Sequence, residues 1–181
     1  MISASRAPLV AAALCFLFYG AHAAWYAVHG RTLANMLWAC HLGALLVGGG
    51  LLLSSATMNA VGLLWLCLGL PLWVLDLVAG GELVPTSLLT HFGGLGLGAW
   101  GVRRLGFPSY AALPAVAGLL VLNLVSRLVT PPAENVNLAF AVWRGWEGYF
   151  PSHPLYIATL LAGSGVAFAL LTPALRRLGP R

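Results

Sequence analysis

Apolar residues run along this chain in six long stretches, each bounded by glycine, proline, serine or charged residues. The stretches lie near residues 7–28, 33–53, 58–78, 85–105, 111–129 and 154–178. Each is close to the roughly 20 residues that an α-helix needs to cross a bilayer. The connections are short, except for one that covers residues 130–153. The pattern predicts an all-α fold, a polytopic bundle of about six transmembrane helices that forms a single domain over residues 1–181.

The composition favours a membrane protein and excludes a soluble one. Hydrophobic residues make up 60% of the chain and charged residues 7%, whereas roughly a quarter of a typical soluble domain is charged. The arginines are scattered towards the ends of the predicted helices, so no nucleic-acid partner is expected. Membrane lipids are the expected partners, and the sequence assigns no protein partner and no oligomeric state.

The distribution of arginine predicts the orientation. The first stretch resembles a signal peptide, but its apolar run continues to Val28, which favours a retained helix. With a cytoplasmic N-terminus, the inner side holds Arg6, Arg103, Arg104, Arg176, Arg177 and Arg181, and the outer side holds Arg31, Arg127 and Arg144. The positive-inside rule favours this arrangement. We therefore expect a multi-pass protein of the bacterial cytoplasmic membrane, with both termini in the cytoplasm and the 130–153 loop on the outer face.

Polar side chains within the predicted helices gather in the outward-facing half. At 1.5 Å of rise per residue, His41 lies ~12 Å from the outer end of the second helix, and His91 lies ~9 Å from that of the fourth. His22, Asp76 and Asn123 reach similar depths from three other helices. Because a charge at the centre of a bilayer costs at least about 2.5 kcal/mol, this layer predicts either a polar cavity or polar contacts between helices.

Helical phase places these residues on common faces, because positions three and four apart lie side by side. The faces join Trp38 with His41, Trp73 with Asp76, Ser87 with His91 and Gly94, and Asn123 with Ser126 and Arg127. Four helices would thus line one cavity. A purely structural alternative stays open, in which the histidines bond neighbouring helices and Asp76 forms a salt bridge with Arg127.

The densest polar run follows the fifth helix. Glu134, Asn135 and Asn137 lie between two prolines and an apolar triplet in the long connection. One interpretation is a helix N-terminus capped by asparagine. The other is a lid whose three polar side chains point down onto His41 and His91.

A cavity of this composition permits acid–base chemistry on an ester. His91, oriented by Asp76, would act as a general base, and Glu134 would complete the catalytic set. The nucleophile would be water or one of three side chains, those of Ser87, Thr90 and Cys40. The residues expected to bind substrate are Trp38, His41, Trp73, Ser87, Asn123, Arg127, Asn135 and Asn137.

Two histidines and a carboxylate also suggest a metal as an alternative. His41, His91 and Asp76 are a suitable set of ligands for zinc or non-haem iron, and the two histidines could hold a haem. No HxxxH or HExxH spacing supports either cofactor. The sequence therefore assigns no metal ligand and leaves the cofactor unidentified.

Three motifs carry a resemblance to known proteins. They are Trp-x-x-Asp ending at Asp76, Ser-Leu-x-x-His ending at His91, and Ala-Glu-Asn-x-Asn ending at Asn137. From about Leu33 onwards the chain resembles a family of uncharacterised bacterial polytopic membrane-associated proteins, in which Asn often stands near the position of His41. More remotely, it is similar to the YwaF-like six-helix integral membrane proteins, whose eukaryotic relatives include lipid acyltransferases. That resemblance implies acyl transfer or hydrolysis on a lipid, with His91 as the base.

Two functions from different classes follow from these observations. The first is a His-dependent hydrolase or acyltransferase that acts on a lipid or another amphiphile from a cavity in the outer half. The alternative is a non-enzymatic membrane protein, either a small-solute carrier or a structural subunit of a larger complex. In the alternative, the polar layer holds the bundle together.

Overall fold

Six α-helices make up the part of the chain that the computed structural model describes, residues 6–180. They are α1 (Ala7–Val28), α2 (Ala39–Leu52), α3 (Ala56–Val78), α4 (Gly94–Leu105), α5 (Ala112–Val129) and α6 (His153–Arg176). A π-helical turn, Leu89–Gly93, leads directly into α4. Short 3₁₀ turns cover Leu33–Leu37, Pro132–Glu134, Val136–Leu138 and Glu147–Tyr149. No strand occurs between residues 6 and 180, so the all-α prediction is confirmed for that range.

Four of the helices, α1, α3, α5 and α6, are long and apolar enough to cross a membrane. Large apolar side chains on their outward faces are exposed, as Leu113 (76%), Leu128 (84%) and Leu170 (74%) illustrate. Such a surface fits lipid rather than water. The bundle therefore fits a membrane protein. The side of the membrane on which the termini lie stays a prediction.

Two predicted spans differ from the helices observed. The stretch near 33–53 is divided, because a 3₁₀ turn at Leu33–Leu37 and an extended residue, Trp38 (φ −56°, ψ 137°), precede α2. The Thr32 hydroxyl caps that turn by accepting a hydrogen bond from the Ala34 N–H at 3.2 Å. The stretch near 85–105 contains the π turn before α4. Apolar periodicity cannot distinguish these tighter and wider turns from an α-helix.

Glycines hold α2 close to both of its neighbours. Gly48 lies against Cys15 of α1, and Gly43 faces Gly62 of α3 across a backbone contact. Further along, Gly50 abuts the backbone of Asn59, whose buried side-chain amide donates to the Gly98 carbonyl of α4 at 3.0 Å. Close backbone approach is the usual reason for small residues between transmembrane helices.

The long connection packs onto one end of the bundle. We call this the cavity end, because α1, α3 and α5 finish there and α2 and α6 begin there. Within the connection, Val136 and Ala139 are fully buried. The segment therefore covers part of the cavity end.

Candidate functional site

A cavity of about 960 Å³ opens at the cavity end and extends to the middle of the bundle. Ligand-binding pockets commonly fall between about 300 and 1,000 Å³. On α3 the cavity wall runs from Asp76 to Trp65, which at 1.5 Å per residue corresponds to a depth of about 16 Å. Residues of α1, α2, α3, α5, α6 and the long connection all contribute to the lining. Of the residues that helical phase placed on common faces, all but Gly94, Ser126 and Arg127 line this cavity.

Three histidines from three different segments meet in the wall of this cavity. His22 of α1 and His41 of α2 lie with ring centroids 4.4 Å apart, and His41 and His91 lie 5.8 Å apart. All three are buried, with exposed fractions of 1%, 5% and 1%. We call these residues the histidine cluster.

Backbone carbonyls fix the orientation of two rings in the histidine cluster. His41 Nδ1 lies 3.0 Å from the Asn35 carbonyl oxygen, and His91 Nδ1 lies 2.8 Å from that of Ser87. A carbonyl oxygen can only accept, so each Nδ1 carries the proton that it donates. In the neutral ring the other nitrogen, Nε2, is then an acceptor with a free lone pair.

The third ring, that of His22, has a different partner. Its Nδ1 lies 2.8 Å from the hydroxyl oxygen of Thr86, which can either donate or accept. The Nε2 atoms of His22 and His91 are buried, and among residues 6–180 neither has a hydrogen-bond partner. Because an unsatisfied buried polar atom costs about 1–3 kcal/mol, these two atoms beside the cavity would gain from a ligand or a water that donates a hydrogen bond.

The π turn brings His91 into the cluster. Ser87, one turn before His91, accepts hydrogen bonds at its carbonyl from His91 Nδ1 and from the Thr90 hydroxyl, the latter at 2.9 Å. The indole of Trp73 stacks on the His91 imidazole at 4.6 Å with a 15° interplanar angle. The predicted faces of the third and fourth helices therefore meet through Trp73 and His91. π-helical turns recur at functional sites in other proteins.

Asn35 connects Glu134 of the long connection to the cluster. Its side-chain amide donates to the Glu134 carboxylate at 2.8 Å, and its amide oxygen accepts from the Trp38 indole N–H at 3.0 Å. Its backbone carbonyl is the one that orients His41. Glu134 thus acts on the cluster through Asn35 rather than by direct contact.

Asn137 latches the long connection to α2 and α5. Its side-chain amide donates to the Leu37 carbonyl and to the Ser126 hydroxyl, both at 2.8 Å. Its amide oxygen accepts from the Ala39 N–H, the first of α2, at 2.9 Å. We call this set of bonds the Asn137 latch. It spans the break at Trp38, so Asn137 contacts the start of α2 rather than the imidazoles expected beneath a lid.

The other predicted lid and α5 residues also bond the connection. Asn135 accepts from the N–H groups of Phe140 and Ala141, each at 2.9 Å, and so closes its own loop. Asn123 donates to the Asn137 carbonyl at 2.9 Å, and Arg127 donates to the Ala139 carbonyl at 3.0 Å. The face of α5 predicted to carry Asn123, Ser126 and Arg127 therefore holds the connection in place.

Asp76 lines the cavity without the partners proposed for it. Its side chain folds back on the backbone of Gly81, where an added Cβ would collide with the carboxylate. Among the described residues, Arg31 and Glu82 form an ion pair. Between residues 6 and 180, neither the expected Asp76–Arg127 salt bridge nor the orientation of His91 by Asp76 is present. His91 Nδ1 instead donates its hydrogen bond to the Ser87 carbonyl, and Arg127 donates to the Ala139 carbonyl.

The Arg31–Glu82 pair at the cavity mouth should contribute little to stability. Both side chains are about half exposed, at 52% and 57%, and exposed pairs typically contribute less than about 1 kcal/mol. We expect Glu82→Gln to change the free energy of unfolding by no more than about 0.5 kcal/mol, measured by thermal unfolding in detergent at two salt concentrations. A larger, salt-insensitive loss would indicate that the pair is structural.

Among residues 6–180, none of the three candidate side-chain nucleophiles is hydrogen-bonded to an imidazole. The Ser87 hydroxyl donates to the Val84 carbonyl at 2.6 Å, and the Thr90 hydroxyl donates to that of Ser87. Cys40 packs against Gly69 of α3. Within residues 6–180, the hydroxyl that does bond an imidazole is that of Thr86.

The three-ligand metal site considered from the sequence can be compared with the positions of the described side chains. Among residues 6–180, no three His, Cys, Asp or Glu side chains are arranged to hold a metal ion. His41, His91 and Asp76 therefore do not form the three-ligand set considered from the sequence.

Sequence reasoning missed three residues that organise this site. His22 reached the right depth, yet helical phase within α1 gave no reason to place it beside His41. Asn35 stands three residues before Trp38 and six before His41, a spacing that suggests contact only once the intervening break is known. Thr86 directly precedes the Ser87 motif and carried no signal of its own.

No protein-family model matches the chain, and neither a curated protein nor a solved structure is significantly similar to it. The resemblance to the bacterial membrane-associated family and to the YwaF-like proteins therefore stays a prediction. The geometry of the cavity carries the functional argument.

Proposed function

We propose that this membrane protein binds an amphiphile in its cavity, with the head group at the histidine cluster and the apolar part along α3 and α6. The observation that carries the proposal is the division of the lining into two zones. Polar and aromatic groups, including the histidine cluster, Glu134 and Tyr156, lie at the cavity end. Deeper in the bundle, beyond the histidine cluster, the lining consists mainly of aliphatic side chains of α3, α5 and α6 (Leu68, Leu119, Leu160 and Leu161), with Trp65 and Ser164 beside them.

The position of the two zones favours an amphiphile over a small polar solute. An apolar wall inside an already apolar bundle offers no advantage to a water-soluble ligand, whereas each buried methylene of an alkyl chain contributes about 0.8 kcal/mol. A head group that bonds the buried Nε2 atoms of His22 and His91 would remove the cost of leaving them unsatisfied. Both parts of an amphiphile would therefore gain from the same site.

Filling the apolar zone should abolish binding. We expect Leu161→Trp to remove co-purifying amphiphile, detected by mass spectrometry, and to lower affinity for a dodecyl ligand at least about tenfold, since tenfold corresponds to about two buried methylenes. Leu170→Trp is the matched control, because Leu170 lies on the same helix with 74% of its side chain exposed. Equal binding by both variants would reject the cavity as the amphiphile site.

Chemistry on the bound amphiphile is a second candidate, favoured by the fixed ring of His91. An Nδ1–H held by a carbonyl leaves Nε2 as a base, which can take a proton from water as that water attacks an ester and return it to the alcohol oxygen as the acyl–oxygen bond breaks. Hydrolysis or acyl transfer would then depend on His91, whereas Glu134 is linked through Asn35 to His41. His91→Ala should abolish release of fatty acid from a lipid ester while the protein stays folded, and retained activity would reject the catalytic role.

The orientation of the cavity in the membrane is part of the same proposal. We place the cavity at the outer leaflet of a bacterial cytoplasmic membrane, because the arginine distribution favours cytoplasmic termini. A cysteine-accessibility assay on intact cells, with a single cysteine introduced at exposed Tyr149 in the connection, tests this orientation. Labelling only after permeabilisation would reverse it.

A further inference from the structure

We propose that the histidine cluster selects amphiphiles whose head group is a primary ammonium. This inference rests on the proposed function, since it names the head group that the amphiphile site prefers. It starts from the hydrogen-bonding capacity that His22, His41 and His91 leave unused.

The cluster offers acceptors that need a donor. His41 and His91 each spend the Nδ1 proton on a backbone carbonyl, so the Nε2 atoms present lone pairs. Three adjacent rings in an apolar bundle favour the neutral form, because three like charges would repel one another at these distances. His22 is adaptable, since the Thr86 hydroxyl can donate or accept. A primary ammonium supplies three N–H donors, one for each ring.

The charges around the cavity favour a cation. Three carboxylates, those of Asp76, Glu82 and Glu134, line the cavity with two arginines, Arg31 and Arg144. Glu82 is paired with Arg31. The remaining charged groups of the lining are two carboxylates, Asp76 and Glu134, and one guanidinium, Arg144. An anionic head group would meet lone pairs and carboxylates, and both would repel it.

The aromatic lining also favours a cation but does not by itself choose among ammonium groups. Indole rings from α1, α3, the break before α2 and the long connection line the cavity, namely those of Trp25, Trp65, Trp73, Trp38, Trp143 and Trp146. Indole faces attract any ammonium, including a quaternary one. A quaternary ammonium carries no N–H, however, so it would leave the buried Nε2 atoms of His22 and His91 unsatisfied. The selection for a primary ammonium therefore depends on the imidazoles.

The methylation series of dodecylammonium tests the inference. Dodecylammonium and its mono-, di- and trimethyl derivatives keep the charge and chain while losing one N–H donor at each step. Binding to the full chain in maltoside micelles can be followed by tryptophan fluorescence, because six of the seven tryptophans line the cavity. We expect affinity to fall with each methyl group, on the order of tenfold per lost charge-assisted hydrogen bond. Leu161→Trp, with the cavity filled, gives the background from micelle partitioning.

His91→Phe separates the hydrogen bond from packing. Phenylalanine keeps a planar ring to stack on Trp73 but has no lone pair to accept from the ligand. We expect it to reduce the preference for dodecylammonium over dodecyltrimethylammonium on the order of tenfold. The melting temperature of the ligand-free variant shows whether the fold is retained, and His41→Phe repeats the test at the second fixed ring.

Each outcome of this experiment supports or overturns the inference. Equal or tighter binding of the trimethyl compound would overturn it and leave an aromatic cation site. Equal losses of both ligands in His91→Phe would make the cluster structural. Stoichiometric Zn²⁺ binding that His91→Phe abolishes would make it a metal site and also overturn the proposal. If every dodecyl ligand binds equally well, whatever its number of N–H groups, this inference alone is rejected. If no dodecyl ligand binds, dodecanol included, the proposed function itself is rejected.

Discussion

Replacing Asn137 with alanine should destabilise the protein by about 3 kcal/mol, because the substitution removes every bond of the Asn137 latch. The Leu37 carbonyl, the Ser126 hydroxyl and the Ala39 N–H would each lose a partner, and a typical net loss is about 1 kcal/mol per hydrogen bond. Ser126 is fully buried and would be left without this donor. Thermal and denaturant unfolding in detergent would measure the change in free energy.

The same variant should also weaken binding in the cavity, because the latch holds the segment that orients His41. Leu37 lies between Asn35, whose carbonyl accepts from His41 Nδ1, and the first turn of α2. Once this segment is released, the ring of His41 loses its fixed direction. Affinity for dodecylammonium should fall together with stability, and a binding constant equal to that of the wild type would contradict the role of the latch.

Backbone strain is separated from hydrogen bonding by a second substitution. Asn137 has a positive φ of 52°, which glycine adopts more easily than alanine does. Asn137→Gly therefore removes the side-chain bonds without adding strain, and we expect most of the destabilisation to remain. Asn137→Asp keeps the acceptor for the Ala39 N–H but places a carboxylate oxygen against the Leu37 carbonyl, where two acceptors repel, so its loss should be at least as large as that of Asn137→Gly. Full stability of Asn137→Gly would show that the latch contributes only through its backbone.

The sequence predicted the boundaries of α1 but not the break before α2. The residues that end α1 are its neighbours in the chain, whereas the residue that stabilises the break is distant in sequence. Arg6 and His29-Gly30 bound the first stretch locally, and α1 ends where they indicate. Trp38, by contrast, interrupts an apolar run whose residues suit a helix equally well. The bonds that stabilise this break come from Asn137, far along the chain. Local propensity carries no information about such a partner.

The polar layer was predictable in depth, because depth follows from rise per residue along each helix. Which residues touch was not predictable, because contact depends on how one helix is rotated against the next. Gly48 of α2 lies against Cys15 of α1, and this close approach accompanies the meeting of His22 and His41. Phase analysis within single helices therefore found the face of His41 but omitted His22.

The chemistry assigned to His91 changed for a similar reason. A histidine and an aspartate at the same depth suggested an oriented base, yet the nearest acceptor for His91 Nδ1 is a carbonyl one turn away on its own helix. The π turn at Leu89–Gly93 accompanies that geometry, and no residue pattern in the stretch distinguishes it from an α-helix. The free Nε2 lone pair, on which both proposals depend, is thus a property of the folded backbone.

Replacing Gly62 with alanine should destabilise the bundle by at least about 2 kcal/mol, because the α2–α3 interface leaves no room for a methyl group. A Cβ at this position would lie 2.5 Å from the Gly43 carbonyl oxygen and 2.8 Å from the Val47 nitrogen. Both atoms belong to the backbone, so no side-chain rotation can relieve the collision. The helices must move apart, and His41, two residues before Gly43, must move with them.

Gly163→Ala provides the matched control for this effect. Gly163 lies within α6, where a Cβ would meet nothing within 4 Å, so the substitution should stabilise the helix by about 0.5–1 kcal/mol. The intrinsic helical gain is the same at Gly62, so the difference between the two variants isolates the cost of separating α2 from α3. Because that separation also carries His41 away from His91, Gly62→Ala should lose the preference for dodecylammonium over its trimethyl derivative, while Gly163→Ala should keep it. Retention of that preference by Gly62→Ala would mean that the cluster does not depend on the spacing of α2 and α3.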